Sequence, residues 1–313
     1  MSRLIGIRIL SSVGLLLVVS VLIFVMQSLI PGNVAEAVAG NNATPAELAQ
    51  LTREFKLNEP IYQQYWNWLD GILHGTLGTS YLNHQSVAQI LDTRAWVTIS
   101  LVGLATVVAA VIGVALGILS SRGGRIVSKV VDVLSVVGLA IPSFWLALLL
   151  ISLFSTRLGW FPATGYVSPG TSPSEWVQSL VLPVAALSVW GVTGIAKQTR
   201  ESMLDVGSQQ FVRNLRANGC PERTVVLKHC LRSAAVPILT MVGLMFIGSL
   251  TADVAVEVVF ALPGLGGLAV SATSTHDIPV IQGVGVYFTL MVIAVNLALD
   301  LIYGWVNPRA RLR

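Results

Sequence analysis

Asp253, Glu257 and Asp300 are carboxylates inside long apolar stretches of this 313-residue chain, where a buried charge is expensive. Asp253 and Glu257 stand four residues apart near the end of one stretch, and Asp300 lies in the last one. On a helix, residues spaced i, i+4 share one face, so this pair could carry a proton or line a polar pathway. The pair could instead reach water at a membrane boundary, and Asp300 could pair with an arginine or a backbone group.

Patterns for covalent or metal chemistry are weaker. Ser143, His276 and Asp277 are residue types of a hydrolase, but the sequence contains neither GxSxG nor HExxH. Cys220, His229 and Cys230 are possible metal ligands, yet their spacing fits no zinc pattern. We therefore expect neither a catalytic site nor a metal or cofactor bound by this chain.

The composition indicates a membrane protein. The chain is 54% hydrophobic and 11% charged with a mean hydropathy of +0.76, whereas a soluble domain is about 25% charged. Six apolar runs are long enough to cross a bilayer, and we place these spans at 9–30, 96–119, 130–155, 177–196, 235–257 and 283–306.

The basic residues predict the orientation of these spans. With both termini inside, 15 of the 19 Lys and Arg residues fall on the inside, as the positive-inside rule requires. The net charge of +4 thus reflects membrane topology, and we expect no nucleic-acid partner.

A polar insertion at 31–94 is predicted to lie outside as two amphipathic helices that break at Asn58-Glu59-Pro60. Thr44 and Glu47 have the spacing of a capping box for the first helix. The insertion could form a helical cap on the bundle or contact a partner. Within the second span, Gly113 and Gly117 form a GxxxG pattern that favours a close helix contact.

Two further segments are predicted to form defined local structures. A re-entrant hairpin is predicted at Pro263, Gly264, Leu265 and Gly266, because the apolar run there is too short to cross. The inside segment at 197–234 is predicted to form a helix with Phe211, Leu215 and Asn218 on one face, and then a left-handed turn at Gly219. A second helix would begin at Pro221. This segment is either a solvated basic loop or a docking element for a soluble partner.

The motifs resemble one protein family over almost the whole chain. The inside segment contains FVR at 211–213, RANG at 216–219, ER at 222–223 and LKHCLR at 227–232. Elsewhere the chain has GTLGTSY at 75–81, IPSFW at 141–145, GWFPATGY at 159–166, LPGLGG at 262–267, DIPVIQG at 277–283 and NPR at 307–309. Together these resemble the first, B-type permease subunit of the dipeptide, oligopeptide and nickel ABC importers. Thr76, Asn218 and Asn307 depart from the family's usual Asp, Lys and Asp, and Arg213-Asn214-Leu215 occupies its generic EAA positions.

The resemblance implies an all-α type I ABC-importer permease of six transmembrane helices in a bacterial inner membrane, with both termini cytoplasmic. The implied partners are the lipid bilayer, a second homologous permease, two ABC ATPase subunits that bind ATP and Mg²⁺, and an outer substrate-binding protein. The hairpin would face the binding protein or plug the outer mouth. The residues implied to couple to the ATPase are Phe211, Arg213, Asn214, Arg216, Ala217, Asn218 and Gly219.

The residues that we expect along the translocation pathway are Ser143, Phe144, Trp145, Trp190, Met241, Met245, Asp253 and Glu257. Peptides are the expected cargo, while nickel chelates, glutathione and haem-like cargo stay open. The alternative is a proton-coupled secondary transporter that uses the intramembrane carboxylates.

Overall fold

A computed structural model describes residues 2–29, 34–40 and 43–306. The Asn307-Pro308-Arg309 motif and the predicted start of the insertion at 31 lie outside the described residues. Within them the chain is helical and contains no strand, apart from an isolated bridge between Thr79 and Ser86. The prediction of an all-α protein is therefore confirmed.

Thirteen α-helices occur along the described residues, and two of them continue directly into π-helical segments. The helices are α1 Ser2–Ser28, α2 Val34–Ala39, α3 Pro45–Glu54, α4 Ile61–Leu73, α5 Val87–Arg122, α6 Arg125–Ala140, α7 Ser143–Leu150, α8 Pro173–Gly207, α9 Gln210–Ala217, α10 Glu222–Thr224, α11 Leu231–Val259, α12 Leu265–Ser274 and α13 Ile278–Val306. The π-helical segments are Ile151–Arg157, after α7, and Val225–Cys230, between α10 and α11.

Five helical stretches among the described residues are long and apolar enough to cross a membrane, and a sixth span results if the bent pair α6 and α7 counts as one. The six-helix prediction is confirmed in this sense. The inside–outside orientation stays a prediction from the charge distribution.

The third predicted span, 130–155, is not continuous. Its two halves meet at an angle of 99°, because Pro142 lacks a backbone donor and pushes the residue before it out of the helical region. Ile141 is accordingly extended, with φ −83° and ψ 121°. Pro183 and Pro237, by contrast, lie inside α8 and α11.

The chain forms two compact units, the first of which comprises residues up to Thr98 together with Pro263–Ala294. Its apolar core brings the start of α5 together with α12 and the start of α13, through Val87, Leu91, Leu265 and Val284. The main-chain N–H of Leu265 donates to the Thr98 hydroxyl over 2.8 Å, which satisfies a free donor at the start of α12.

The predicted outer insertion lies in this first unit. The two amphipathic helices are α3 and α4, and the capping box of Thr44 and Glu47 is present, so both predictions are confirmed. Tyr65 of α4 packs edge-on against Phe24 of α1, with ring centroids 5.5 Å apart. Its hydroxyl lies 2.9 Å from the Ser20 hydroxyl. The insertion therefore covers part of α1, as the helical-cap alternative requires.

The second unit comprises Ile99–Leu262 together with the chain from Val295. In it α8 packs against α6, α7 and α11. A Cβ atom built on Gly113 would lie 2.8 Å from Ile195 Cβ, and one on Gly117 would lie 2.5 Å from Thr199 Cβ. The close contact predicted for this GxxxG pattern is therefore present, between α5 and α8.

Candidate coupling segment and translocation pathway

The candidate coupling segment is α9 with the turn that follows it. Gly219 has φ +75°, so the predicted left-handed turn is confirmed. The N–H of Gly219 donates to Arg216 O over 3.0 Å and the N–H of Cys220 donates to Leu215 O over 3.1 Å. These bonds satisfy carbonyls at the helix end. Pro221 lies one residue before the next helix, which begins at Glu222, so the predicted helix start was wrong by one position.

One face of α9 is anchored in the second unit. Val212 is fully buried and packs in a cluster with Met203 and Val206 of α8 and with Val225 and Val226 of the π-helical segment. Leu215 packs against the same cluster. Leu215 lies four residues from Phe211, as the predicted shared face requires, and three residues from Val212, so it stands at the boundary between the exposed and the buried side of α9.

The other side of α9 is exposed. Phe211 keeps 39% of its surface accessible. The other predicted coupling residues are also exposed, namely Arg213, Asn214, Arg216, Ala217, Asn218 and Gly219. The exposed side of α9 is thus basic and carries one aromatic side chain. The opposite side of α9 packs against α8 and the π-helical segment Val225–Cys230.

An ion pair spans the turn at Gly219. Arg216 Nε donates to Glu222 Oε2 over 3.1 Å and Arg216 Nη2 donates to Oε1 over 3.0 Å. These hydrogen bonds lower the pKa of Glu222 and raise the pKa of Arg216. The bidentate pair holds the end of α9 against the start of α10.

The segment at 197–234 is mostly helical. Its first residues extend α8 to Gly207, and its last residues belong to a helical run from Glu222 through the π-helical segment into α11. The helix predicted for the first part of this segment is present, although it is interrupted between Gly207, where α8 ends, and Gln210, where α9 begins. Helical extensions on both sides connect α9 to two predicted spans.

A cavity of about 400 Å³ lies beside the break at Pro142. Ser143 and Trp190, both predicted along the pathway, line it together with Ser249 and Thr251 of α11. A Cβ atom on Gly248 would lie 2.6 Å from Trp190 Cη2, so glycine lets the indole lie against α11. Sequence reasoning missed Ser249 and Thr251, because single hydroxyls in an apolar run carry little signal.

The other predicted pathway residues do not line this cavity. Met241 and Met245 pack against Gly194, where a Cβ atom would lie 3.0 and 3.2 Å from their methyl carbons. Phe144 and Trp145 keep 46% and 48% of their surface accessible.

Asp253 and Glu257 are fully buried, with 0% exposure each. Other parts of the chain therefore enclose them, while their depth relative to the membrane boundary stays a prediction.

The predicted hairpin residues divide between a turn and a helix. Pro263 is exposed and precedes α12, whereas Leu265 and Gly266 are buried within it. With 10 residues, α12 is about 15 Å long and too short to cross a bilayer. A re-entrant element fits this length.

Asp277 fixes the loop at 80–81 to the start of α13. The Ser80 hydroxyl donates to Asp277 Oδ2, and the Tyr81 N–H donates to Oδ1 over 3.1 Å. Burial, with a smaller effect from the Asp277 charge, raises the pKa of Tyr81 to about 12. Sequence reasoning missed this contact, although both partners lie in the quoted motifs GTLGTSY and DIPVIQG.

The helices and their apolar surfaces define a multi-pass membrane protein with an anchored, partly exposed helix between two spans. Residues 85–312 match the family described as the binding-protein-dependent transport system inner membrane component, and residues 1–102 match its N-terminal component. The chain belongs to this family. It is thus a permease subunit of an ABC importer in a bacterial inner membrane, as the resemblance implied.

Named relatives cover nearly the full chain. A protein of Brucella abortus strain 2308, named as a permease of a peptide transport system, is 36% identical over 99% of both chains. The glutathione transport system permease protein GsiC of Salmonella typhi is 36% identical over 98% of both chains. The oligopeptide transport system permease protein AppB of Bacillus subtilis is 35% identical over 96% of this chain and 97% of its own length.

A solved structure supports the fold. The inward-facing MetNI methionine ABC transporter contains a chain that aligns with a TM-score of 0.54 and 18% identity, over 70% of this chain and 97% of that one. At this identity the likeness concerns the fold alone. It confirms the type of permease fold that the motifs implied.

Proposed function

We propose that this chain forms half of a translocation pathway for di- or oligopeptides in an importer driven by ATP. A second homologous permease would form the other half. Two ABC ATPase subunits would dock inside and bind ATP with Mg²⁺, and a substrate-binding protein would deliver the peptide outside. In this proposal the chain itself binds no cofactor and catalyses no reaction.

The single observation that carries the coupling role is the two-sided character of α9. Val212 and Leu215 fix one face to helical extensions of predicted spans, while Phe211 and the basic side chains stay accessible. A partner that gripped the exposed face would move α9 with those helices, because packed cores transmit displacement rather than absorb it. An aromatic anchor flanked by arginines is also typical of interface residues that contribute most binding energy.

The substrate class rests on the relatives. Relatives that cover almost the whole chain are named for peptide, oligopeptide and glutathione transport, and glutathione is itself a tripeptide. The cavity beside Pro142 combines an indole, hydroxyls and apolar walls, a lining that suits side chains of varied type. Nothing found favours the proton-coupled alternative.

The test is transport by the reconstituted complex. The two permeases and the ATPase subunits are placed in liposomes with the binding protein, and uptake of a radiolabelled dipeptide is followed. We expect uptake that requires ATP and the binding protein, and that continues without a proton gradient. Uptake that needs the gradient and not ATP would contradict the proposal, as would a complete lack of peptide uptake by an assembled complex that hydrolyses ATP.

A further inference from the structure

Helix α4, Ile61–Leu73, has three distinct faces. One face packs on α1 through Tyr65, whose ring centroid lies 5.5 Å from that of Phe24 and whose hydroxyl lies 2.9 Å from the Ser20 hydroxyl. A second face is exposed and polar, and it consists of Gln63, Asn67, Asp70 and, just after the helix, His74. The third face is apolar yet largely exposed, and neither the coupling segment nor the pathway accounts for it.

The third face forms an apolar stripe of Tyr62, Trp66, Leu69 and Leu73. Their spacing of four, three and four residues places them on one side of the helix. Tyr62, Trp66 and Leu73 keep 69%, 63% and 78% of their surface accessible, while Leu69 is half-buried. Contiguous apolar surface of this kind marks an interaction site, so the stripe needs a partner that the described residues do not supply.

The contact with α1 sets the depth of α4 in the membrane. The apolar window of α1 runs from Leu10 to Gln27, and Ser20 lies inside it, about 10 Å from the Gln27 end. Because the Tyr65 hydroxyl reaches Ser20, the main chain of α4 lies no further from Ser20 than one tyrosine side chain and one hydrogen bond. Helix α4 therefore lies at the level of the membrane boundary, and not in the water beyond it.

The surface of α1 beside this contact suits lipid. Val18, Leu22 and Val25 of α1 are all exposed, and they lie on either side of Ser20 along the span. A helix that is apolar on all sides and keeps such side chains exposed is typical of a membrane span. Helix α4 thus meets α1 at a level where the neighbouring medium is hydrocarbon.

The polar face of α4 shows how the helix lies in this region. Gln63, Asn67 and Asp70 extend along most of the helix, and so does the apolar stripe. Water and hydrocarbon must therefore both border α4 over most of its length, which a helix that entered the membrane end-on does not allow. A helix in the plane of the interface meets both requirements, and tyrosine and tryptophan favour this region.

We propose that α4 is an interfacial membrane helix, whose apolar stripe inserts at the boundary between lipid headgroups and acyl chains. The partner of the stripe is the lipid bilayer, rather than the substrate-binding protein or the second permease. The insertion is then fixed to the membrane surface twice, by the contact of Tyr65 with α1 and by the lipid contact of the stripe. This inference does not depend on the cargo of the transporter.

The test uses the assembled transporter in nanodiscs of phosphatidylethanolamine and phosphatidylglycerol, without its binding protein. One nitroxide label is attached to Tyr62→Cys or to Trp66→Cys, in a chain with Cys220→Ser and Cys230→Ala. Electron paramagnetic resonance then measures the collision of each label with oxygen, which concentrates in hydrocarbon, and with a nickel chelate, which stays in water. The two variants report on the same stripe, so one of them suffices if the other does not assemble.

The matched controls are Gln63→Cys and Asn67→Cys, each one position further along α4 and exposed on its polar face. We expect the ratio of oxygen to nickel-chelate collisions to be several-fold higher at positions 62 and 66 than at 63 and 67. Adding the binding protein should leave the ratios at 62 and 66 unchanged.

Two results would overturn the inference. Equal ratios at all four positions would place the stripe in water. Labels at 62 and 66 that neither reagent reaches would assign the stripe to a protein partner: the second permease if access is already absent, and the binding protein if access is lost when it is added.

Discussion

Arg216 and Glu222 form an ion pair across the turn at Gly219, through two hydrogen bonds of 3.1 and 3.0 Å. The two side chains keep 46% and 44% of their surface exposed, so the pair contributes about 0.2–1 kcal/mol, as exposed ion pairs do. Its role is to orient the end of α9 rather than to stabilise the fold. Arg216 is also free enough to turn towards a docked partner.

The ion pair gives a pH dependence with a definite sign. The Arg216 hydrogen bonds lower the pKa of Glu222 below its ordinary value of 4.5. The stabilisation of the turn by the ion pair is therefore complete above pH 4.5, and it is lost as the pH falls through the lowered pKa of Glu222. We expect amide hydrogen exchange in α9, corrected for the intrinsic exchange rate, to stay constant through the neutral pH range, where the pair remains ionised. In acid, exchange should accelerate because Glu222 becomes protonated. Glu222→Gln should remove this acid response. An unchanged response in Glu222→Gln would contradict the assignment.

Replacing Gly219 should uncouple transport from ATP hydrolysis. A valine at φ +75° costs about 1–2 kcal/mol in the left-handed region, so the turn would open and α9 would shift. We expect Gly219→Val to lose at least tenfold in peptide uptake while the ATPase subunits still hydrolyse ATP.

Two variants control for the volume of the added side chain. Gly219→Asn should keep most uptake, since asparagine tolerates this conformation. Gly207→Val adds the same side chain where no atom lies within 4 Å of the new Cβ and φ is not positive, and it should transport normally. Normal uptake by Gly219→Val would refute the role of the turn.

The α5–α8 contact should depend on Gly117. A Cβ atom there would lie 2.7 Å from the Ala196 carbonyl oxygen, and a backbone atom cannot move aside cheaply. We expect Gly117→Ala to lower the stability of the purified protein by about 1–3 kcal/mol, as overpacking does, measured as a drop in Tm. Gly103→Ala on the same helix meets nothing within 4 Å and should be neutral or stabilising by about 0.5–1 kcal/mol. Equal effects of the two substitutions would be inconsistent with the packing described.

Asp277 should matter for stability rather than for chemistry. Asp277→Ala would leave the Ser80 hydroxyl and the Tyr81 N–H without an acceptor, at about 1–3 kcal/mol for each buried donor. We expect a clear drop in Tm for Asp277→Ala, a smaller one for Asp277→Asn, which keeps one carbonyl acceptor, and none for Asp92→Ala at an exposed position on α5. A drop for Asp92→Ala as large as that for Asp277→Ala would argue against the buried hydrogen bonds.

The parts of the fold that depend on local patterns were predictable from the sequence. Apolar length gave the spans, Thr44 and Glu47 gave a helix start, and Gly219 gave a left-handed turn. Contacts between distant segments were not predictable in this way. Asp277 and Ser80 are 197 positions apart, and no periodicity or turn signal relates them. The break at Pro142 was not predictable from proline alone, because Pro183 and Pro237 lie inside helices that continue past them.

The residues of the candidate functional site were likewise only partly predictable from the sequence. The exposed residues of α9 could be named from motifs, because this candidate docking surface belongs to a single helix, Gln210–Ala217. The predicted pathway residues come together only in part: Ser143 and Trp190 line the cavity beside Pro142. Met241 and Met245 pack against Gly194 instead, a contact with another helix that the sequence does not show. Burial of Asp253 and Glu257 likewise depends on helices from elsewhere in the chain.

The measurement that tests the central claim most directly is a site-specific cross-link from α9 to an ATPase subunit. Ala217→Cys is made in a chain with Cys220→Ser and Cys230→Ala, and Leu73→Cys in the predicted outer insertion, 78% exposed, is the control. The complex is purified with its partners, treated with a short thiol–amine cross-linker and analysed by mass spectrometry. The account predicts an ATPase adduct from position 217 that changes when ATP is trapped, and none from position 73. A complex that co-purifies with its ATPase yet forms no adduct at position 217, or forms one equally from both positions, would contradict it.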